Sequence, residues 1–153
     1  MKHWCLGFIF NKNLDHVQLL RKGRTMHVGK WNGVGGSIEP NESPVDAMTR
    51  ETREESHWYI DKDFWVPVGQ LIFPVLPGEV HVFAAWISII TPTVHVDNIA
   101  ILNEWEDDSP VGVPIDYISV LPLAPYVADL VGASLGRLKD PSTSLINIID
   151  GMQ

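Results

Sequence analysis

The chain has 153 residues, of which 45% are apolar, and this is enough for one domain with its own hydrophobic core. Its formal net charge of −8 leaves no surplus of lysine and arginine, so we expect no nucleic acid polymer as a partner. The single cysteine, Cys5, excludes an intrachain disulfide and a thiolate zinc site.

The first ten residues, MKHWCLGFIF, lack the long apolar segment and the small-residue cleavage site of a signal peptide. The chain also contains no apolar run of about 18 residues, the length that a bilayer-spanning helix requires. We therefore expect a soluble, cytoplasmic protein without a membrane partner. The sequence leaves open whether two copies associate as a homodimer.

Two pairs of strands are predicted in the first two thirds of the chain. Residues 3–10 and 16–22 flank the turn-forming sequence NKNLD, which predicts a hairpin. Residues 64–73 and 80–90 are rich in β-branched and aromatic side chains and are separated by the turn signal PVLPGE. One strong helix is predicted between the two pairs.

The signals are weaker after residue 97. Residues 103–114, NEWEDDSPVGVP, predict a loop, and residues 127–138 carry apolar side chains at helical spacing. The tail from residue 143 is either a last edge strand or a mobile end. These patterns together predict an α/β protein in which helices pack on a sheet.

The helix between the strand pairs has a well-marked start. Ser43 suits the N-cap, Pro44 suits the first helical position, and Asp46 completes a capping box. At about 100° per residue, the side chains divide into a packing arc, an acidic arc and a basic arc. These arcs contain Val45, Met48, Thr49 and Thr52; then Glu51, Glu54 and Glu55; and then Arg50 and Arg53.

The acidic arc has two interpretations. Like charges one turn apart repel by about 0.2–0.5 kcal/mol, so Arg50 and Arg53 could simply neutralise a solvated face. Alternatively, the glutamates hold a cation. The preceding sequence NGVGGSIE favours the cation, because glycines such as Gly35 and Gly36 let the backbone approach a ligand closely. Carboxylate and carbonyl oxygens suit a hard ion such as Mg²⁺.

The spacing of these residues resembles a known family motif. Gly36, Glu42 and the run from Arg50 to Glu55 match the Nudix box, G-x5-E-x7-R-E-U-x-E-E-x-G-U, where U is a bulky apolar residue. Thr52 and His57 depart from the box. We expect the Thr52 methyl group to be buried while its hydroxyl bonds back to a helix carbonyl. We expect His57 to end the helix in the left-handed conformation.

The resemblance implies a fold and a reaction. Nudix enzymes are α/β/α sandwiches with a mixed β-sheet between helices, here a single domain over residues 1–153, and they hydrolyse a nucleoside diphosphate linked to another group. The implied cofactor is Mg²⁺, with Mn²⁺ as a substitute. Its implied ligands are the carboxylates of Glu51, Glu54 and Glu55 and the carbonyl of Gly36. Glu42 is implied to order the loop and Arg50 to orient a glutamate, while the general base stays open.

The flanking sequences WNGVGG, VGQLIF and VHVF resemble the branch of the family that cleans the nucleotide pool, which includes enzymes that hydrolyse oxidised purine nucleoside triphosphates to the monophosphate and pyrophosphate. This resemblance covers residues 5–105 and implies that Asn32 contacts the base, although Asn32 could equally be a turn residue beside Gly33. Gly35 and Gly36 are expected to lie against the substrate. Lys22, with Arg24 and Lys30, could guide the triphosphate into the cleft.

The resemblance ends in the last third of the chain. That branch recognises the base with a Trp-x-Asp-Asp sequence, whereas the corresponding stretch here is VLPLAPY. Stacking could come instead from Trp105, Tyr117 or Tyr126, although buried aromatic residues more often belong to the core. Asp97, Asn98 or Glu104 could replace a further acidic metal ligand, and a solvated acidic loop is the alternative.

Other activities stay open or are disfavoured. A related enzyme could act on ADP-ribose, a dinucleoside polyphosphate or capped RNA, and a Nudix-fold module could bind a nucleotide without cleaving it. The six histidines show neither H-x-x-x-H nor H-E-x-x-H spacing, which argues against a histidine zinc site. No G-x-S-x-G sequence supports a serine nucleophile.

Overall fold

A computed structural model describes residues 1–21, 29–75, 77–105 and 109–151. Within these residues, eight strands form one mixed sheet: β1 (Lys2–Asn11), β2 (His16–Arg21), β3 (Trp31–Asn32), β4 (Val34–Ser37), β5 (Val66–Phe73), β6 (Gly78–Ile87), β7 (Val111–Pro114) and β8 (Ile146–Ile149). The α-helices described are α1 (Pro44–Ser56) and α2 (Val127–Lys139), and short 3₁₀ helices cover Lys62–Phe64, Val96–Glu104 and Ile115–Tyr117. None of these helices is long and apolar enough to cross a membrane.

Strand β1 is at the centre of the sheet. Its whole length pairs in parallel with β6, and β6 pairs on its other side with β5, which has β8 as its own parallel neighbour. The opposite edge of β1 is shared by two antiparallel strands: β4 pairs with residues 4–7, and β2 pairs with residues 9–10. Strand β4 therefore lies beside the first half of β1, close to the helix that follows it.

The two α-helices cover opposite faces of the sheet. Successive side chains of a strand point to opposite faces. In β1, Cys5 and Ile9 pack in the same buried cluster as Met48 of α1, whereas Phe8 and Phe10 pack with Leu130 of α2. This arrangement confirms the predicted α/β/α sandwich with a mixed sheet between helices.

Most predicted elements are confirmed with small shifts at their ends. The strands at residues 3–10 and 16–22 form the antiparallel pair β1 and β2, and those at 64–73 and 80–90 form β5 and β6. The second helix covers Val127–Lys139. Of the two options for the tail, the structure has an edge strand, β8, paired with β5.

The loop prediction for residues 103–114 is wrong at its end. Val111–Pro114 form β7, which pairs antiparallel with β2 from His16 to Leu19. All four residues of β7 are buried. Such a strand is too short to show alternation in sequence, and it exists because β2 offers it a hydrogen-bonding edge and a place in the core.

The prediction for Thr52 is half wrong. Its side chain is fully buried, with 0% exposed, but its hydroxyl oxygen has no hydrogen-bond partner among the described residues. The backbone carbonyl of Thr52 accepts a hydrogen bond from the Ser56 hydroxyl at 2.6 Å. The prediction for His57 is confirmed, because its φ is 64° and its backbone N–H donates to the Arg53 carbonyl at 3.0 Å.

The Thr52 hydroxyl, which has no hydrogen-bond partner among the described residues, leads to a prediction about the stability of the fold. Thr52→Val should raise the free energy of unfolding by about 1 kcal/mol, because a methyl group of the same shape replaces a buried hydroxyl that has no hydrogen-bond partner among the described residues. The matched control is Thr49→Val on the same helix, whose hydroxyl donates to the Ile60 carbonyl at 3.1 Å. That variant should lose about 1 kcal/mol. Urea denaturation measures both, and a loss of stability in Thr52→Val as large as that in Thr49→Val would contradict the assignment.

Candidate active site

The glutamates are positioned by the start and the buried face of α1. The Ser43 hydroxyl accepts the Asp46 backbone N–H at 3.2 Å, and Pro44 is the first helical residue, as the sequence predicts. The buried side chains of the helix are Ala47, Met48 and Thr52. Glu51 and Glu55 lie beside this face and are half-buried, whereas the Glu54 side chain is 59% exposed.

Strand β4 brings two glycines against the helix. The Glu55 carboxylate accepts the Gly35 backbone N–H at 2.8 Å. A Cβ atom placed on Gly36 would lie 2.5 Å from both Cδ and Oε1 of Glu51. Only glycine therefore leaves room for the Glu51 carboxylate against the strand, which is the close approach that the glycine-rich sequence predicts.

Arg50 joins the acidic side chains to the loop before the helix. Its Nε and Nη2 atoms donate to the two carboxylate oxygens of Glu42 at 2.9 and 3.0 Å. Nη1 donates to Glu51 at 2.9 Å and, over a longer 3.4 Å, to Glu54. Nη2 also donates to the Ser37 carbonyl at 3.0 Å. The loop is held further because Glu42 accepts the Glu39 backbone N–H at 3.0 Å.

The ionisation of this network follows from its contacts. Hydrogen bonding to Arg50 lowers the pKa of the Glu42 carboxyl below its ordinary value, and the same pair raises the pKa of Arg50. Burial raises the pKa of the Cys5 thiol to about 11, and the nearby Glu51 charge adds to the rise. Cys5 is therefore a neutral thiol at pH 7, which donates to the Gly36 carbonyl over 3.6 Å. Neither this contact nor the hydrogen bond from Arg50 to Ser37 is predicted by the sequence.

Stability at acidic pH tests the Arg50–Glu42 pair. Because the folded-state pKa of Glu42 is lowered, its contribution is complete above the ordinary value of 4.5 and is lost as pH falls through the folded-state pKa. Glu42→Gln should therefore unfold more easily than the wild type by about 2 kcal/mol at pH 7. The two free energies of unfolding should converge below pH 4.5.

The control for that measurement is Glu39→Gln. It removes the same charge from an exposed side chain of the same loop and should change the free energy of unfolding little at either pH. A difference between wild type and Glu42→Gln that stays constant down to pH 3, or grows, would show that the ion pair does not stabilise the fold.

The donor set fits a hard divalent cation. All implied ligands are oxygens: the carboxylates of Glu51, Glu54 and Glu55 and the carbonyl of Gly36. Within the described residues, the Arg50 guanidinium contacts Glu42, Glu51 and Glu54, and a divalent cation at the glutamates would add further positive charge to this acidic cluster. Among the described residues, the carboxylate oxygens of Glu51, Glu54 and Glu55 do not all lie within 4.8 Å of one another. Mg²⁺ typically keeps several waters, which such an open arrangement allows.

The expected base-binding residue is on β3, which comes just before β4 in the chain. The Asn32 side-chain oxygen accepts the Gly33 backbone N–H at 2.8 Å, which is the turn-type contact. Its neighbour Trp31 donates its N–H to the Pro122 carbonyl, and its carbonyl accepts the Ala124 N–H, both at 2.9 Å. The VLPLAPY stretch, residues 120–126, therefore runs beside β3 at Trp31.

The remaining candidates from the sequence are three aromatic residues, three polar residues after residue 96 and three basic residues near the glycines. Trp105, Tyr117 and Tyr126 pack at the edge of the core under α2. Each also donates a hydrogen bond within the fold, to Ser109, Val96 and Asp150 respectively. Asp97, Asn98 and Glu104 are exposed on the 3₁₀ helix Val96–Glu104. Lys30 is exposed, whereas Lys22 and Arg24 lie outside the described residues.

Comparisons with known proteins agree with this geometry. The family model described as the NUDIX domain matches residues 4–111. The oxidized purine nucleoside triphosphate hydrolase of Mus musculus is 32% identical over an alignment of 108 residues, which covers 62% of this chain and 68% of the mouse protein.

Solved structures show the same fold. A NUDIX hydrolase from Nitrosomonas europaea superposes with a TM-score of 0.69 at 14% identity, over 97% of this chain and 77% of that one. The NUDIX domain of Shewanella oneidensis NrtR, solved with ADP ribose, has a TM-score of 0.69 at 15% identity, over 89% and 87% of the two chains. The family match, the relative and the fold together place this chain in the Nudix hydrolase family.

Proposed function

We propose that this protein hydrolyses nucleoside triphosphates to the monophosphate and pyrophosphate, with Mg²⁺ or Mn²⁺ as the cofactor. The observation that carries the proposal is the Glu51 carboxylate packed over Gly36, at a point where any larger residue would displace it. The Mus musculus relative, named as a hydrolase of oxidized purine nucleoside triphosphates, supports the substrate class.

The protein groups have separate tasks in this proposal. Glu51 and Glu55 are held in place, by Arg50 and by the Gly35 N–H respectively, so their carboxylates are preorganised. The Glu54 side chain is exposed on the solvent-facing side of the cluster, from which a substrate would enter. A bound divalent cation supplies positive charge for the phosphate oxygens and acidifies water. Arg50 ties this arrangement to the loop through Glu42.

The nucleobase is expected to bind near β3, beside residues 120–126. This stretch contains no acidic side chain, so it offers no carboxylate to a base. Asn32 offers a side-chain amide beside this stretch, and its amide nitrogen makes no hydrogen bond within the described residues. We therefore expect modest selectivity between bases, in which oxidised purines have no large advantage.

Asn32→Ala tests this assignment. If Asn32 reads the base edge, the variant should raise KM for purine substrates several-fold more than for pyrimidine substrates, with a smaller change in kcat. Initial rates of pyrophosphate release with purine and pyrimidine triphosphates measure both. Equal effects on the two classes would limit Asn32 to its turn contact with Gly33.

A product screen tests the reaction itself. Nucleoside triphosphates, deoxynucleoside triphosphates and oxidised deoxynucleotides are incubated with Mg²⁺, and phosphate is measured with and without added pyrophosphatase. ADP-ribose and dinucleoside polyphosphates yield no free phosphate when they are hydrolysed, so their reactions are followed with added alkaline phosphatase, which releases phosphate from the phosphomonoester products but not from the intact substrates. The proposal predicts phosphate from triphosphates only when pyrophosphatase is present. Turnover confined to ADP-ribose or a dinucleotide would reassign the substrate, and nucleotide binding without any turnover would identify a binding module.

A further inference from the structure

A second group of metal-ligating side chains lies outside the glutamate cluster. His3 is on β1, and Glu79 and His81 are on the adjacent strand β6. In the parallel register His3 is opposite Glu79, and Cys5 is opposite His81, so all three side chains point to the α1 face of the sheet. One ligand atom from each lies within 4.8 Å of the other two.

The contacts of these side chains leave their ligand atoms available. The two imidazole rings are stacked with their centroids 5.8 Å apart and an interplanar angle of 26°. The His81 Nε2 atom is 3.9 Å from the Glu79 carboxylate, which is too long for a hydrogen bond. Burial lowers the pKa of His81, which favours the neutral imidazole that metal ions bind.

The group is accessible. His3 and His81 line a groove of about 710 Å³ together with the loop from Ser37 to Glu42. His3 is exposed, and Glu79 and His81 are half-buried, so an ion could enter and could keep water in its open positions.

The group is also separate from the implied metal ligands Glu51, Glu54, Glu55 and Gly36, although Glu42 lines the same groove. His81 is opposite Cys5, and Cys5 is in turn opposite Gly36 of β4. Strands β6, β1 and β4 are successive neighbours in the sheet. Two strand spacings, roughly 10 Å, therefore separate the backbone of His81 from that of Gly36. The chemistry differs as well, since two nitrogens and one oxygen suit a borderline transition metal, whereas an all-oxygen set suits Mg²⁺.

We propose that His3, Glu79 and His81 form a binding site for one borderline transition-metal ion, such as Zn²⁺. The sheet supplies the geometry, because one ligand comes from β1 and two come from alternate positions of β6. This proposal goes against the prediction from histidine spacing, which argued against a histidine zinc site. That expectation rested on spacing within one helix, whereas these ligands meet across two strands that are distant in sequence.

Binding of Co²⁺ as a spectroscopic probe tests the site. The full chain is titrated with Co²⁺ in the presence of excess Mg²⁺, which occupies the oxygen ligands, and visible absorption is recorded. We expect one equivalent of Co²⁺ to bind, with bands that differ from those of the aqueous ion and disappear when Zn²⁺ is added. His81→Gln and Glu79→Gln should each weaken binding at least tenfold.

Two controls separate the site from its alternatives. His95→Gln removes an exposed histidine outside the group and should bind Co²⁺ like the wild type. Glu54→Gln should also bind normally, so failure of the proposed hydrolytic function does not affect this result. Circular dichroism confirms that each variant is folded.

Three results would overturn the proposal. The first is unchanged Co²⁺ binding in both His81→Gln and Glu79→Gln, which would point to a chelate of His3 with the backbone that precedes it. The second is loss of binding only in Glu54→Gln, which would place the ion on the glutamates. The third is the absence of any binding to the wild type at micromolar Co²⁺.

Discussion

Glu54→Gln is expected to lower Mg²⁺-dependent turnover of nucleoside triphosphates at least about 100-fold, the equivalent of about 3 kcal/mol of transition-state stabilisation. The substitution keeps the size of the side chain but removes the charge that would face a divalent cation. The substitution should change the free energy of unfolding little, because the Glu54 side chain is 59% exposed and, in the described part of the chain, makes only a 3.4 Å hydrogen bond with Arg50. Steady-state pyrophosphate release at saturating Mg²⁺ measures the effect.

The control for this experiment is Asp129→Asn. Asp129 is exposed in the first turn of α2, on the opposite face of the sheet, and its replacement removes the same charge from the protein. It should leave kcat within about twofold of the wild type, and both variants should unfold near the wild-type temperature. Full activity in Glu54→Gln would remove Glu54 from the mechanism, whereas an equal loss in both variants would indicate a general effect of charge.

Gly36→Ala should reduce activity about 100-fold while changing the free energy of unfolding by about 1 kcal/mol or less. The new Cβ would lie 2.5 Å from the Glu51 carboxyl carbon, so this flexible side chain must move away from the strand. Misplacing a catalytic group by about 1 Å is enough for a loss of this size. The free energy of unfolding should change little because the atoms that must move are at the end of the Glu51 side chain.

Gly35→Ala is the matched comparison, one residue away on the same strand. Its Cβ would lie 2.1 Å from the Cys5 carbonyl oxygen, which is part of the β1 backbone and cannot move alone. This variant should lose about 3 kcal/mol of stability. Urea denaturation and turnover, measured on both variants, separate the two effects. Similar stability losses at both positions, or full activity in Gly36→Ala, would contradict the assigned role of Gly36.

The part of the site that could be predicted from sequence is the part that is local. The Ser43 cap, the start of α1 at Pro44 and the glutamates beside its buried face all follow from the helical repeat. The family resemblance implied only that Arg50 orients a glutamate, and the structure adds that Glu42, eight positions away, accepts two of its hydrogen bonds. Short-range geometry of this kind depends little on the rest of the fold.

Features that depend on distant neighbours could not be predicted in the same way. Strand β7 is stabilised by its pairing with β2, and nothing in the sequence VGVP itself distinguishes it from a loop. The unpartnered hydroxyl of Thr52 reflects the shape of the core around it rather than its helical position. His3 and His81 come together only because β1 and β6 are parallel neighbours, a pairing that sequence periodicity does not reveal.

The central claim is that the acidic arc of α1 and the carbonyl of Gly36 hold a divalent cation that contacts a polyphosphate. Anomalous diffraction from crystals grown with Mn²⁺ and an α,β-methylene nucleoside triphosphate tests it most directly. We predict Mn²⁺ density bounded by Glu51, Glu54, Glu55 and the Gly36 carbonyl, with phosphate oxygens beside it. Nucleotide bound elsewhere, with no anomalous peak at these oxygens, would contradict the claim.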